Sequence, residues 1–185
     1  MDIRLTQAKN VALFGLESFE KVQEAFRVVR EECAEILSAI EFLDQESFHN
    51  TVTYSSMKQK DPFENRYPMY VLIETTGSSE EHDSEKLQIL VEKLMEKNIV
   101  LDGVLAQDET QMQALWSLRE SIPEALGHIG KTYKYDVSMP VNKMNELVEV
   151  LRARFADHGM LSTPEKAGPI RAVCGFGHFG DGTLQ

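Results

Sequence analysis

Met69-Tyr70-Val71-Leu72-Ile73-Glu74-Thr75 is the run on which the fold turns. Apolar residues follow one another from Met69 to Ile73, with Tyr67-Pro68 before them and Gly77 after. A short apolar run rich in β-branched and aromatic residues, bounded by breakers, reads as a strand. Helical and extended patterns alternate outward from it in both directions. On the N-terminal side, Asn10 to Phe14 reads as a short buried strand ending at Gly15. With Ser18 as N-cap, Val22, Phe26, Val29, Cys33, Ile36, Leu37 and Ile40 then recur at spacings of three and four, which predicts a long amphipathic helix. A strand around Ile40 to Leu43 follows. Residues 44–67 are polar and carry the breakers Asp61-Pro62 and Tyr67-Pro68, predicting a short helix and a mobile loop.

On the C-terminal side, residues 77–83 read as a turn, with Asp83 capping a second helix marked by Leu87, Leu90, Val91, Leu94 and Met95. A strand over Ile99 to Leu105 comes next. Asp108 and Gln111 have capping-box spacing, and Leu115, Leu118, Ile122, Ala125 and Leu126 continue a third helix. Pro123 interrupts it; a proline inside a helix costs about 3 kcal/mol, so a kink is expected there, or a break with Pro123 starting a new turn. Thr132 to Met139 reads as a strand, and Pro140 leads into a fourth helix through Met144, Leu147, Val148, Leu151 and Phe155. Pro169 to Phe176 reads as the last strand. This order suits a doubly wound parallel sheet, although no early strand is followed by a glycine-rich phosphate turn. An α+β fold with a mostly antiparallel sheet built from ferredoxin-like units suits it equally.

Composition narrows the function classes. The chain has 185 residues, 42% apolar and 26% charged, as expected of one ordinary globular domain. A formal charge of −11 argues against binding nucleic acid or an anionic membrane over a broad surface. No apolar run approaches the ~18 residues of a membrane span. Residues 1–9 show neither the apolar segment of a secretory signal nor the Arg-rich character of a mitochondrial one. Cys33 and Cys174 sit among apolar residues and read as buried thiols.

Candidate chemistry gathers at Cys174-Gly175-Phe176-Gly177-His178-Phe179-Gly180-Asp181-Gly182-Thr183-Leu184. Glycines at this density let a backbone turn sharply and approach a ligand, with His178 and Asp181 aimed at one point. Imidazole serves as a metal ligand or a general base, but one histidine does not make a zinc site. A capped turn with a hydrogen-bonded histidine is the plainer alternative. Arg119, on the polar side of the third helix, and Lys134, between Tyr133 and Tyr135, are the candidate carboxylate contacts. Each also has a local acidic neighbour, Glu120 or Asp136, with which an ordinary surface ion pair would form. His49, His128 and His158 show no spacing with a second ligand and receive no role.

Three segments, Leu115-Trp116-Ser117-Leu118-Arg119-Glu120, Tyr133-Lys134-Tyr135-Asp136-Val137-Ser138-Met139-Pro140-Val141 and Gly177-His178-Phe179-Gly180-Asp181-Gly182, resemble the D-2-hydroxyglutarate dehydrogenases. These belong to the FAD-linked oxidases of the vanillyl-alcohol-oxidase type. Glu35-Ile36-Leu37-Ser38-Ala39-Ile40-Glu41-Phe42 and Val71-Leu72-Ile73-Glu74-Thr75 also look like the family's cap domain. The resemblance runs from about residue 10 to 184. It implies an α+β, ferredoxin-like cap domain whose mostly antiparallel sheet is covered by helices. Residues 1–9 are then an N-terminal extension and residues 10–185 part of the substrate-binding domain, with the FAD-binding domain absent from this sequence.

The resemblance further implies oxidation of a D-2-hydroxy acid to the 2-oxo acid in mitochondria, with hydride passing to FAD. A divalent metal, typically zinc, assists, and electrons leave to an electron-transfer flavoprotein. Arg119 and Lys134 match the family's substrate-carboxylate contacts, and His178 matches its first metal ligand. Two positions depart: Pro123 stands where a substrate-binding threonine is expected, and Gln185 where a second metal-ligating histidine is expected. The third ligand, a glutamate, and the adjacent catalytic histidine have no counterpart in this sequence, so no catalytic residue is assigned. The expectation is a fragment of such an enzyme, without flavin and inactive by itself. Its alternatives are a non-catalytic dicarboxylate-binding module and a related D-lactate or glycolate dehydrogenase.

Overall fold

The computed structural model describes residues 8–57 and 60–185. In chain order come β1 (Ala8–Leu16), α1 (Phe19–Cys33), β2 (Leu37–Asp44), α2 (Gln45–Tyr54), β3 (Met69–Gly77), α3 (Glu80–Glu96) and β4 (Asp102–Leu105). They are followed by α4 (Glu109–Glu120), α5 (Ile122–Ile129), β5 (Val137–Ser138), α6 (Met144–Asp157), β6 (Phe176–His178) and β7 (Thr183–Leu184). Residues 1–7 of the expected N-terminal extension, and Lys58 and Gln59 of the expected loop, lie outside the described residues.

The strands join in one sheet in the order β4-β1-β3-β2-β6-β7-β5, antiparallel at each pairing. The doubly wound parallel alternative is therefore excluded and the α+β fold holds. Strand β3 lies between β1 and β2, which makes β1-α1-β2-β3-α3-β4 a ferredoxin-like unit. Side chains alternate across the sheet. Ala12, Phe14, Ile40, Phe42, Val71 and Ile73 pack on one face with Val22, Val29, Leu87 and Leu90 of α1 and α3. Val11, Leu13, Leu43, Tyr70 and Leu72 pack on the other with Phe48, Leu115, Leu118 and Ile122 of α2, α4 and α5. Helices on both faces explain why the central strands read as unbroken apolar runs.

Several boundaries differ from the sequence reading. Helix α1 ends at Cys33, and the apolar positions Leu37 and Ile40 belong to β2. There Ile40 stands opposite Ile73 and Phe42 opposite Val71, so pairing with β3 overrides a helical spacing that happens to continue. Helix α3 starts at Glu80 with Ser79 as N-cap, and Asp83 caps from inside the first turn, its buried carboxylate accepting the Ser79 N–H at 3.3 Å. At Pro123 the expected break occurs: α4 ends at Glu120 and α5 carries the proline in its first turn, where no hydrogen bond is lost. The expected strand over Thr132 to Met139 shrinks to Val137–Ser138, because its ladder partner β7 supplies only Thr183 and Leu184. Similarly, the expected strand from Pro169 to Phe176 is irregular apart from a bridge between Ile170 and Leu161, and β6 begins only at Phe176. The segment before β6 is held by polar contacts instead: the Gly175 N–H donates to Asp44 at 2.6 Å.

Candidate functional site

The glycine-rich run forms a β6-β7 hairpin docked on β2, with Phe176 opposite Leu43 and His178 opposite Glu41. Two glycines are required sterically. A Cβ at Gly177 would lie 2.0 Å from the Thr183 carbonyl oxygen, and Gly182 combines a φ of 77° with a Cβ position 2.5 Å from the Met139 carbonyl oxygen. Asp181 accepts the Thr183 N–H at 3.0 Å, and hydrogen bonding from the Thr183 side chain, helped by this backbone bond, holds its carboxyl below the ordinary value. It therefore closes the turn and is committed there. Phe179, fully buried, inserts among Phe19, Phe26 and Phe42 in edge-to-face contacts and anchors the hairpin from below.

On the opposite face of the hairpin the polar side chains meet. His178 Nδ1 lies 2.8 Å from Glu41 Oε1, within hydrogen-bond reach, and Arg119 of α4 donates from Nε to Glu41 Oε2 at 2.8 Å. The guanidinium carbon of Arg119 also stands 4.8 Å from the centre of the Phe176 ring, and its Nη2 reaches Gln185 Oε1 at 3.4 Å. One turn earlier on α4, Trp116 donates from Nε1 to Glu74 Oε2 at 2.7 Å, and Lys9 pairs with the same oxygen at 2.7 Å. Arg119 thus takes Glu41, across the sheet, as partner instead of its neighbour Glu120. A helix residue facing the sheet is out of reach of a neighbour pointing to solvent.

Lys134 lies elsewhere. It is exposed, between Tyr133 and Tyr135 at 73% and 72% exposure, and pairs with Asp136 at 3.6 Å. The segment lines a cavity of about 720 Å³ together with Pro123, Leu151, Phe155 and Gln185. Gln185 is the link between the two groups, since it touches Arg119 and faces the cavity that Lys134 borders. Arg119 and His178 are brought together on one carboxylate; Lys134 is brought only to the cavity wall.

Beside this cavity the chain is tied down by Asp44. Its carboxylate accepts from the Ser47 N–H and Oγ, from Arg152 Nη2 on α6 and from the Gly175 N–H. Burial pushes the carboxyl above its ordinary value, against the pull of Arg152, Ser47 and Gly175. Cys174, next in the wall, is pushed up to about 12 by the same burial, which makes it an inert thiol.

A family model described as "FAD linked oxidases, C-terminal domain" matches residues 5–185. The chain belongs to that family. This FAD-linked oxidase domain is 47% identical to a Schizosaccharomyces pombe protein with the provisional name of mitochondrial D-lactate dehydrogenase, over 95% of this chain and 33% of that one. It is 41% identical to the mitochondrial D-2-hydroxyglutarate dehydrogenase of Danio rerio, over 98% of this chain and 32% of that one. To the D-2-hydroxyglutarate–pyruvate transhydrogenase of Saccharomyces cerevisiae the identity is 36%, over 97% of this chain and 36% of that one. The chain spans about a third of the length of these curated relatives.

His178 is one side chain suited to a divalent metal, and the described residues do not complete a site around it. A zinc site needs three or four protein ligands, and no group of three or more His, Cys, Asp or Glu side chains that would hold a metal stands together among the described residues. Glu41 is a site residue that the sequence reading does not single out, although its signal is present there: a carboxylate placed between Ile40 and Phe42 in an apolar strand must find partners when buried.

Proposed function

We propose that this chain is the substrate-binding part of an FAD-dependent dehydrogenase that oxidises D-2-hydroxyglutarate to 2-oxoglutarate. The observation that carries the reading is the meeting of Arg119 and His178 on Glu41, in a domain of the FAD-linked oxidase family whose relatives include proteins named for D-2-hydroxyglutarate. Arg119 supplies a fixed guanidinium that grips one substrate carboxylate in a pair of parallel N–H bonds. Lys134, on the wall of the adjoining cavity, supplies a compact charge for the second. His178 is available as a proton acceptor for the 2-hydroxyl or as one ligand of a divalent metal, for which zinc is the proposed ion. Mitochondrial location and an electron-transfer flavoprotein as electron acceptor complete the proposal; the first is supported by the names of the relatives.

Two observations favour narrower variants. Similarity to a protein named for D-lactate favours a monocarboxylate substrate, for which Lys134 has no partner. Pro123 and Gln185 on the cavity wall, where threonine and histidine are expected, favour a module that binds a dicarboxylate without turnover. Calorimetry with D-2-hydroxyglutarate and with D-lactate, on the wild-type chain, Arg119→Ala and Lys134→Ala, separates them. Dicarboxylate affinity is expected to fall about tenfold or more in each variant, since a charge-assisted pair is worth about 1.5–3 kcal/mol. Preference for D-lactate, unaffected by Lys134→Ala, selects the monocarboxylate variant, and binding by a holoprotein that shows no turnover selects the module. Equal affinities in wild type and Arg119→Ala overturn the reading.

A further inference from the structure

Glu41 is 7% exposed, on a strand whose neighbouring residues Ile40 and Phe42 are core. A carboxylate is placed there only if its charge is satisfied, and both of its oxygens are: Oε2 by Arg119 Nε and Oε1 by His178 Nδ1, each at 2.8 Å. The backbone sets one of these contacts, because Glu41 and His178 are direct partners in the β2-β6 ladder and share a face. An ionised carboxylate accepts and never donates. The hydrogen in the His178 contact therefore belongs to Nδ1, and in the neutral ring Nε2 carries a lone pair.

Gly180 adds an independent observation. Its backbone is not in the left-handed region, yet a Cβ there would stand 3.2 Å from His178 Nε2 and 3.7 Å from Cδ2. The absence of a side chain leaves the approach to Nε2 open. Arg119 is constrained in the same way: its Nε is consumed by Glu41, and its Nη2 makes only a long contact of 3.4 Å with Gln185. The Nη groups are thus the donors that Glu41 leaves to a carboxylate ligand.

We propose that Glu41 is a positioning residue that sets both groups at once, holding His178 as the Nδ1–H tautomer with Nε2 presented and Arg119 by Nε with its Nη edge presented. The inference deepens the dehydrogenase reading and rests on it only for the identity of the ligand. The test is imidazole ¹⁵N NMR of the histidine-labelled full chain, at a pH where a free imidazole is neutral, with the His178 signals assigned by their loss in His178→Gln. In the wild type, His178 is expected to carry its proton on Nδ1. In Glu41→Gln, Arg119 can only donate and so claims the amide oxygen, which turns the amide NH₂ toward Nδ1 and is expected to move the His178 proton to Nε2.

An Nε2–H tautomer in the wild type overturns the proposal without any variant. So does an unchanged tautomer in Glu41→Gln whose backbone amide spectrum shows a folded chain. The measurement needs no substrate, so its failure is distinct from that of the functional reading. A tautomer that switches as expected in a chain that binds no dicarboxylate retains Glu41 and removes the substrate. An unswitched tautomer in a chain whose dicarboxylate affinity depends on Arg119 does the reverse.

Discussion

Replacing Asp44 by asparagine changes one oxygen into an NH₂ and should cost this fold far more than that atom count suggests. Ser47 N–H and Oγ lie 2.8 and 2.6 Å from Oδ1, while Arg152 Nη2 and the Gly175 N–H each lie 2.6 Å from Oδ2. Asparagine keeps one acceptor for Ser47, preserving the cap of α2, and points a donor at two donors. Breaking a buried ion pair costs about 3–5 kcal/mol; Arg152 retains 23% side-chain exposure and can recover some hydration, so the lower end applies. A loss of about 3 kcal/mol corresponds to roughly 6–12 °C in Tm for a domain of this size. Asp44→Ala also loses the cap and should fall about 1 kcal/mol further. Urea denaturation followed by circular dichroism measures both, and the double variant Asp44→Ala/Arg152→Met should recover part of the loss. Asp44→Asn within about 0.5 kcal/mol of wild type would refute the claim that this carboxylate ties the Cys174-Gly175 segment to α2 and α6.

The hairpin anchor and the two thiols give further expectations. Phe179→Ala, which removes a fully buried ring from contact with Phe19, Phe26 and Phe42, should destabilise by about 3–5 kcal/mol in the same assay; a cost near that of a surface change would mean that the hairpin is not anchored through this ring. Burial raises the Cys33 and Cys174 thiols from an ordinary 9.0 to about 11 and about 12. The native chain thus holds these protons longer than the unfolded one, so their contribution is complete below pH 9.0 and is lost as pH rises toward 11 and 12. Urea midpoints should fall through that alkaline window, and fall less in Cys33→Ala/Cys174→Ala; identical slopes in the two proteins would contradict this origin.

Much of the central architecture could be read from residues alone. Met69 to Thr75 is a strand, Ser18 caps α1, Asp108 caps α4 through Gln111 and Pro123 begins α5, because each of these is decided by local chemistry within a few residues. The expected strands over Thr132 to Met139 and Pro169 to Phe176 were legible only as apolar segments. Their extended backbone forms a ladder only where a partner strand lies alongside, and that partner is distant in sequence. The direction of the sheet was hidden for a related reason: with helices on both faces, an antiparallel strand shows the same unbroken apolar run as a parallel one.

The site divides along the same line. Arg119, Lys134 and His178 could be singled out from their sequence neighbourhoods, as residue types suited to carboxylates and protons. Which of them act together could not, because ion pairs form between groups near in space whatever their separation along the chain. The sequence by itself determined the family, the alternation of elements and the turn chemistry of the glycine-rich hairpin. Only the tertiary structure decided that Glu41, 78 residues from Arg119 and 137 from His178, holds both on one carboxylate, and that Lys134 stands apart on the cavity wall. The physical reason is burial: a carboxylate enclosed by the sheet and α4 must be satisfied by whatever donors the fold brings to it.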